Sequence, residues 1–238
     1  MIEPLLLAVT RVSTFVGERV LTAASGFFFE RDARLFLVTS RHVLVDAPSG
    51  HHPDRIEIVL HTDEVDLTRF TALSLPLYRE GTSVWRQGKD SGGEIDVAVV
   101  ELDRAALPEG TVLRPFTLQH LQGPLEEIAL GTAMLVVGFP LGFYDTLHHL
   151  PVARHAAVAS AFGVRFQGQG YFLTDARMHR GASGAPVVLR DPRGGALPWK
   201  LLGIHSARLD MRTREQGVDD TLGLNSAWYA DILRTLTK

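Results

Sequence analysis

The sequence of 238 residues contains no cysteine, which excludes disulfide bonds, thiolate metal sites and a thiol nucleophile. Proteins of reducing compartments commonly lack disulfides, so this absence suits a cytoplasmic protein. The sequence also lacks any apolar run of about 18 residues, the length that a membrane-spanning helix needs. Its first residues include Glu3, where a signal peptide carries positive charge. With Met1 as the natural start, we expect a cytoplasmic protein without a membrane partner.

An excess of basic residues is absent as well. The 24 Lys and Arg residues are outnumbered by 27 Asp and Glu residues, which gives a net charge of −3. Binding to nucleic acid needs clustered basic residues, so we expect no nucleic-acid partner. Hydrophobic residues make up 45% of the chain and charged residues 21%, as is typical of a folded soluble domain.

Short apolar and β-branched runs separated by turn residues dominate the chain, a pattern typical of β-sheet proteins. The predicted strands cover residues 5–20, 24–29, 35–39, 56–61, 70–77, 94–102, 133–139, 152–160, 171–174, 186–190 and 201–206. The C-terminal end differs, because Trp228, Ile232 and Leu236 recur every four residues behind a suitable N-cap, Asn225 or Ser226. We therefore predict an all-β fold that ends in a C-terminal α-helix.

One stretch, residues 180–188, reads R-G-A-S-G-A-P-V-V. Gly181 and Gly184 tolerate positive φ and close backbone approach, so the turn between them can be sharp. At its apex Ser183 would expose a hydroxyl beside inward-pointing backbone N–H groups, as a nucleophile beside an oxyanion site does. The alternative is a structural hairpin turn in which Ser183 only caps a backbone group.

Two further residues favour the first interpretation. His42 follows a predicted buried strand, and Asp96 lies near the start of another. A serine hydroxyl is too weak an acid to attack unaided; it needs an imidazole to take its proton and a carboxylate to orient that imidazole. His42, Asp96 and Ser183 occur in the order of the chymotrypsin-like template, so we predict that they form a catalytic triad.

Four motifs in order make the chain similar to trypsin-fold serine proteases of the bacterial Deg type. They are L-V-T-S-R-H-V-L at His42, I-D-V-A-V-V-E-L at Asp96, G-F-P-L-G-F at residues 138–143, and T-D-A-R-M-H-R-G-A-S-G-A-P at residues 174–186. The resemblance implies a single protease domain made of two six-stranded β-barrels with the cleft between them. We expect the first barrel over residues 1–118, the second over 119–224, and the helix over 225–238.

The resemblance also implies roles for residues of the second barrel. The backbone N–H groups of Gly181 and Ser183 would hold the oxyanion, and the hydroxyl of Ser206 would support the carboxylate of Asp96. Residues 203–208 would pair with the backbone of a protein or peptide substrate. The expected function is that of a serine endopeptidase without a cofactor or metal.

A weaker resemblance concerns specificity. His205 lies in a G-I-H segment similar to that of glutamyl endopeptidases, which place a histidine there against an acidic P1 side chain. Arg177 and Arg208 are near in sequence and could add positive charge to a substrate-binding pocket. The alternative is a strand histidine with a satisfied hydrogen bond and two solvated arginines.

Two residues depart from the family pattern. Ala182 replaces the aspartate that pairs with the new N-terminus of activated trypsins, so we expect no activation by N-terminal clipping. Ala185 replaces the second glycine of S-G-G-P, a position where glutamyl endopeptidases also carry a small non-glycine residue.

A latent or non-catalytic trypsin-fold module that binds a regulatory protein partner is the alternative function. His51-His52 and His148-His149 lack established zinc spacing, so we expect loop histidines there.

Overall fold

The computed structural model describes residues 2–123, 128–212 and 219–238, and these form strands joined by turns and a few short helices. The strands are β1 (Val9–Val16), β2 (Arg19–Arg31), β3 (Arg34–Thr39), β4 (Arg55–His61), β5 (Phe70–Pro76), β6 (Tyr78–Arg79), β7 (Thr82–Ser83), β8 (Trp85–Asp90), β9 (Gly93–Leu102), β10 (Phe116–Thr117), β11 (Ala133–Gly138), β12 (Val152–Val158), β13 (Tyr171–Asp175), β14 (Pro186–Arg190), β15 (Trp199–Arg212) and β16 (Asp219–Tyr229). The α-helices are α1 (Arg41–Leu44) and α2 (Leu233–Leu236). Short 3-10 turns lie at Pro4–Leu7, Ala47–Ser49, Arg104–Ala106, Leu118–His120, Pro140–Gly142, Phe166–Gly168 and Ala230–Ile232.

The N-terminal half is one curved sheet with the strand order β5-β4-β1-β2-β3-β9-β8, and β10 adds to β2. The expectation of a six-stranded barrel is corrected here, because eight strands take part and no pairing joins β5 to β8 in the described part of the chain. The side chains of the two edge strands are mostly exposed or half-buried. The concave face still encloses a core that includes Phe28, Leu37 and Val100.

The C-terminal half is a closed barrel of six strands in the order β11-β12-β13-β16-β15-β14. This confirms the predicted all-β, trypsin-like architecture for that half. Its interior is lined by apolar side chains that include Val136, Phe172 and Leu202. Gly203 also faces the inside, where any larger residue would place its Cβ within 2.9 Å of the Phe172 ring.

The C-terminal helix is shorter than predicted. Residue 225 does not cap a helix, since Asn225 pairs with Thr174 and Arg208 within β16, and the barrel continues to Tyr229. The helical part begins with the 3-10 turn Ala230–Ile232 and ends with α2. The four-residue spacing predicted too long a helix, because strand residue Trp228 and helix residue Leu236 are buried in the same core.

The largest core lies between the two halves. Phe27 and Phe29 project from one face of β2 and pack with residues of the second half such as Val188 and Leu201, while Phe28 projects into the first core. The run F-F-F therefore contributes to the core from both faces of one strand. Among the described residues, no helix is long and apolar enough to cross a membrane.

Candidate active site

His42 and Asp96 are brought together by the pairing of β3 with β9. Helix α1 begins directly after β3 and carries His42, whose Nδ1 lies 2.7 Å from Asp96 Oδ2. The backbone N–H of His42 also donates to Asp96 Oδ1 at 2.9 Å. The carboxylate therefore orients both the imidazole ring and the helix that carries it, so Nδ1 holds the proton and Nε2 is left as the basic nitrogen.

Ser206 joins this pair from the second half of the molecule. Its hydroxyl lies on β15 and donates to Asp96 Oδ2 at 2.5 Å. Burial is the largest influence on the pKa of Asp96 and acts to raise it, but the hydrogen bonds from His42 and Ser206 outweigh burial and lower the pKa. Asp96 is therefore a carboxylate over the physiological pH range.

The pKa of His42 is raised above its ordinary value of 6.5. Burial is the largest single influence and lowers the pKa, yet the hydrogen bond and the negative charge of Asp96 together exceed it. The charge of Asp46 acts in the same direction. A histidine in this environment can accept a proton near neutral pH and is stabilised once charged.

Ser183 and His42 line the same cleft of about 700 Å³, which opens between the halves. Ser183 Oγ donates to the backbone carbonyl of Ser206 at 3.0 Å, and no hydrogen bond joins it to His42 within the described residues. A change of the Ser183 rotamer is the step that would turn the hydroxyl toward His42, and staggered side-chain rotamers interconvert at low cost for an accessible serine.

The backbone before Ser183 forms a tight turn at His179–Ala182, closed by a hydrogen bond of 3.3 Å from Ala182 N to His179 O. Gly181 has a φ of +90°, which makes this a type II turn with glycine in its third position. We call residues 179–185 the serine turn. A side chain at Gly181 would bring its Cβ within 2.5 Å of Phe139 O, so the position admits only glycine.

The direction of the Arg180–Gly181 peptide is fixed by a neighbouring loop. Arg180 O accepts a hydrogen bond of 2.5 Å from Leu141 N, in the 3-10 turn Pro140–Gly142. The C=O and N–H of a planar peptide point in opposite directions, so the Gly181 N–H points away from this loop. In the described structure the N–H groups of Gly181 and Ser183 donate to no other residue. Two unpaired amides beside a serine hydroxyl can bind an oxyanion.

The two departures from the family pattern fit this geometry. Ala182 is fully buried in the apolar interior of the second barrel, among residues such as Met178 and Val187. Ala185 is also fully buried, and Gly138 leaves room for it, since a Cβ at Gly138 would lie 3.1 Å from Ala185 Cβ. The serine turn is thus anchored by apolar packing at Ala182, where trypsins use an aspartate.

The residues predicted to bind substrate differ in burial. His205 is 2% exposed on β15, opposite Ala227, and its Nδ1 has no hydrogen-bond partner. Burial, and then the charge of His42, lower the pKa of His205 to about 4. Arg177 is exposed before the serine turn, and Arg208 is partly buried near the end of the described part of β15. The joint role of His205, Arg177 and Arg208 in binding substrate stays a prediction.

Sequence reasoning missed Ser25, which is fully buried in β2 and hydrogen bonded to the serine turn. The available signal was a Ser-Gly pair, Ser25-Gly26, between two apolar runs of a strand. Sequence reasoning also missed that His51 lines the cleft beside His42 with its Nε2 3.0 Å from Val43 O.

Comparisons with known proteins agree with the fold of the chain. A model of the trypsin-like peptidase domain matches residues 24–197, more than half of the chain. A variant of the HtrA-type protease AlgW with a tripeptide has a similar fold, with 18% identity, a TM-score of 0.57 and coverage of 98% of this chain and 59% of that chain. A serine endoprotease from Yersinia pestis matches with 15% identity, a TM-score of 0.55 and coverage of 98% and 62%, respectively.

The chain thus spans 59% to 62% of the length of these two proteins. No curated protein sequence matches it. The fold, the order of the motifs and the matched segment together show that the chain belongs to the family of trypsin-like peptidase domains.

Proposed function

We propose that the protein is a serine endopeptidase that hydrolyses peptide bonds through an acyl-enzyme. Ser183 is the nucleophile, His42 the general base and then the general acid, and Asp96 the carboxylate that orients His42. The observation that carries this proposal is the pair of unbonded amides of Gly181 and Ser183 beside the Ser183 hydroxyl, in one cleft with His42.

The reaction follows from these positions. Ser183 Oγ attacks the scissile carbonyl carbon while its proton moves to His42 Nε2, and the carbonyl oxygen becomes an oxyanion held by the two amides. His42 then gives its proton to the leaving amine as the C–N bond breaks, which leaves an ester on Ser183. A water molecule, deprotonated by His42, attacks that ester, and Ser183 regains its proton as the acid product leaves.

We further propose that the S1 pocket accepts an acidic side chain through His205. Nδ1 of His205 has no hydrogen-bond partner and is buried, so a P1 carboxylate would have to reach into the barrel to bind it. A carboxylate that leaves water needs such a donor. A bound carboxylate would oppose the influence of burial and favour the charged ring. A library of peptides varied at P1 tests this point. A preference for glutamate or aspartate that is lost in His205→Gln supports it, whereas a preference for alanine or valine contradicts it.

A second candidate is a latent peptidase that a protein partner activates. The observation in its favour is that Ser183 Oγ donates to the Ser206 carbonyl and not to His42. In this function the serine would turn toward His42 only when a partner or substrate displaces the Ser206 carbonyl from it.

Labelling with a fluorophosphonate probe at pH 7.5 separates these functions, because the probe needs the nucleophile but no particular peptide sequence. Labelling of the wild type and not of Ser183→Ala supports an assembled site, and turnover of Ser183→Ala should fall about a million-fold. Labelling that appears only after a partner is added favours the latent function. Equal labelling of both proteins contradicts Ser183 as the nucleophile.

A further inference from the structure

Ser25 is a fully buried serine of the first half that contacts the serine turn of the second. Its backbone N–H donates to Ser183 O at 2.9 Å. Its hydroxyl donates to Gly181 O at 2.8 Å and accepts from Phe139 N at 2.9 Å. One residue therefore binds the carbonyls of both residues whose amides would hold the oxyanion.

The Ser25 hydroxyl also connects the serine turn to the loop that fixes its central peptide. Phe139 N, which donates to the hydroxyl, lies two residues before Leu141 N, the donor to Arg180 O. The hydroxyl is thus bonded to both segments that define the direction of the Arg180–Gly181 peptide. Buried backbone groups are costly to leave unpaired, so Gly181 O and Phe139 N both depend on this single oxygen.

The space around Ser25 is closed on two sides by glycines. A Cβ at Gly138 would lie 2.4 Å from Ser25 Oγ, and a Cβ at Gly184 would lie 2.2 Å from Ser25 O. Thr39 Oγ1 donates to Ser25 O at 2.8 Å and so fixes the Ser25 backbone from β3. The hydroxyl therefore has a fixed position against the serine turn.

Loss of this oxygen has a specific structural consequence. A type II turn and a type I turn have the same ends and differ in the direction of the central peptide, and glycine at the third position adopts either. In the type I form the Arg180 carbonyl would occupy the place of the Gly181 N–H in the cleft. The Leu141–Arg180 hydrogen bond opposes this flip, and the Ser25 hydroxyl bonds the segment of each partner, at Phe139 and at Gly181.

We infer that Ser25 is a positioning residue for catalysis, which holds the Gly181 N–H in the cleft through its hydroxyl. The inference rests on the proposed function, because it concerns the oxyanion site of that reaction. Ser25 touches no reacting atom and acts only through the serine turn and the loop at Phe139.

The test compares Ser25→Ala with Thr10→Val. Thr10 is a matched control, because its buried Oγ1 also donates to backbone carbonyls, Val59 O at 2.8 Å and more weakly Arg11 O at 3.4 Å, and accepts from a backbone amide, Val59 N at 3.1 Å. Both variants lose a buried hydroxyl that donates to and accepts from the backbone, but only Ser25→Ala loses it at the serine turn. Labelling by the fluorophosphonate probe is measured as kinact and KI, per folded protein judged by circular dichroism.

We expect kinact of Ser25→Ala to fall about 10- to 100-fold with an unchanged KI. This fall is smaller than the one that complete loss of an oxyanion-site donor causes. The pH midpoint of labelling should not move, because Ser25 does not contact His42. Thr10→Val should label like the wild type. Equal kinact in the two variants would overturn the inference, as would a fall in Ser25→Ala that comes only from KI. If the wild type is not labelled while Ser25→Ala folds, the proposed function fails and the inference falls with it.

Discussion

The two halves of the molecule hold their parts of the site by different means. The open sheet of the first half supplies His42 and Asp96, which are fixed by direct side-chain hydrogen bonds within that half. The closed barrel of the second half supplies Ser183 and the amide of Gly181, which depend on a turn conformation and on contacts with neighbouring segments. The hydrogen bonds between His42 and Asp96 thus form within one sheet, and Ser206 of the second half adds one more to Asp96, whereas the proposed oxyanion site depends throughout on contacts between the two halves.

A substitution in the pair that the first half supplies, His42 and Asp96, should give the largest fall in kcat. Asp96→Asn keeps the shape of the side chain but favours the wrong tautomer of His42, so kcat should fall about 10⁴-fold. Peptidase turnover at pH 7.5 measures this loss. Asp103→Asn is a suitable control, because Asp103 lies just beyond the other end of β9 and only caps the turn at Ala105. A similar loss in Asp103→Asn would mean that the fold of β9, rather than the orientation of His42, is what fails.

Disrupting the serine turn of the second half should reduce kcat less, because His42, Asp96 and Ser183 all remain. Gly181→Ala forces a side chain into a left-handed conformation within 2.5 Å of Phe139 O, so the central peptide must move. We expect kcat to fall about 10²- to 10³-fold, as for loss of one oxyanion donor. Gly194→Ala has a similar backbone conformation, φ +77°, with nothing within 4 Å, and therefore controls for backbone strain alone. Near-normal turnover of Gly181→Ala would contradict the role of this turn.

A third experiment measures how the stability of the second half depends on pH. His205, inside the second barrel, stays neutral in the folded state down to its pKa of about 4, whereas the unfolded chain takes up a proton near 6.5. The neutral His205 therefore contributes to the free energy of unfolding fully above pH 6.5. This contribution, about 3 kcal/mol, is lost as the pH falls toward 4. Urea unfolding across this range should show a flatter pH dependence for His205→Gln. The exposed His52 provides the control variant His52→Gln, which should keep the slope of the wild type.

The smallest expected effect is a displacement of the pH–rate profile. Because Asp96 raises the pKa of His42 above 6.5, the rate should rise with pH to a midpoint above that value. In Asp96→Asn the residual activity should have a midpoint at lower pH, because the negative charge is gone. Labelling rates between pH 5 and 9 give both midpoints. A rate that does not change across this range would contradict His42 as the general base.

The sequence alone was sufficient to predict the strands and the site residues that lie within contiguous motifs. Buried apolar runs predicted most strands of both halves, and the segment around His42 and the one around Asp96 were recognisable because each chemical group lies within a strand or at its end. The sequence was insufficient at the C-terminus, where Asn225 and Trp228 suit a helix by spacing yet lie in β16. Strand β8 was also missed, because Arg86, Lys89 and Asp90 give it no apolar alternation.

Other features depend on contacts between distant segments and so leave no local pattern. Ser25 and Gly181 are 156 positions apart, and the hydrogen bond between them exists only once the two halves have packed. The burial of His205 is similar, since an isolated G-I-H segment does not indicate that the ring will lie at 2% exposure. Motifs therefore pointed to the residues of the proposed triad, while Ser25, which contacts the serine turn, was found only in the three-dimensional structure.

The bonds from Ser25 to the serine turn suggest a use for the molecule as a reporter of association. If the chain were cut in the connection between the halves and the fragments expressed separately, each would keep its own share of the reacting groups. The first fragment would retain the paired His42 and Asp96, and the second would retain Ser183 without the hydroxyl that supports its turn. Under the proposed function, peptidase activity would require both fragments together, so the activity would measure their association.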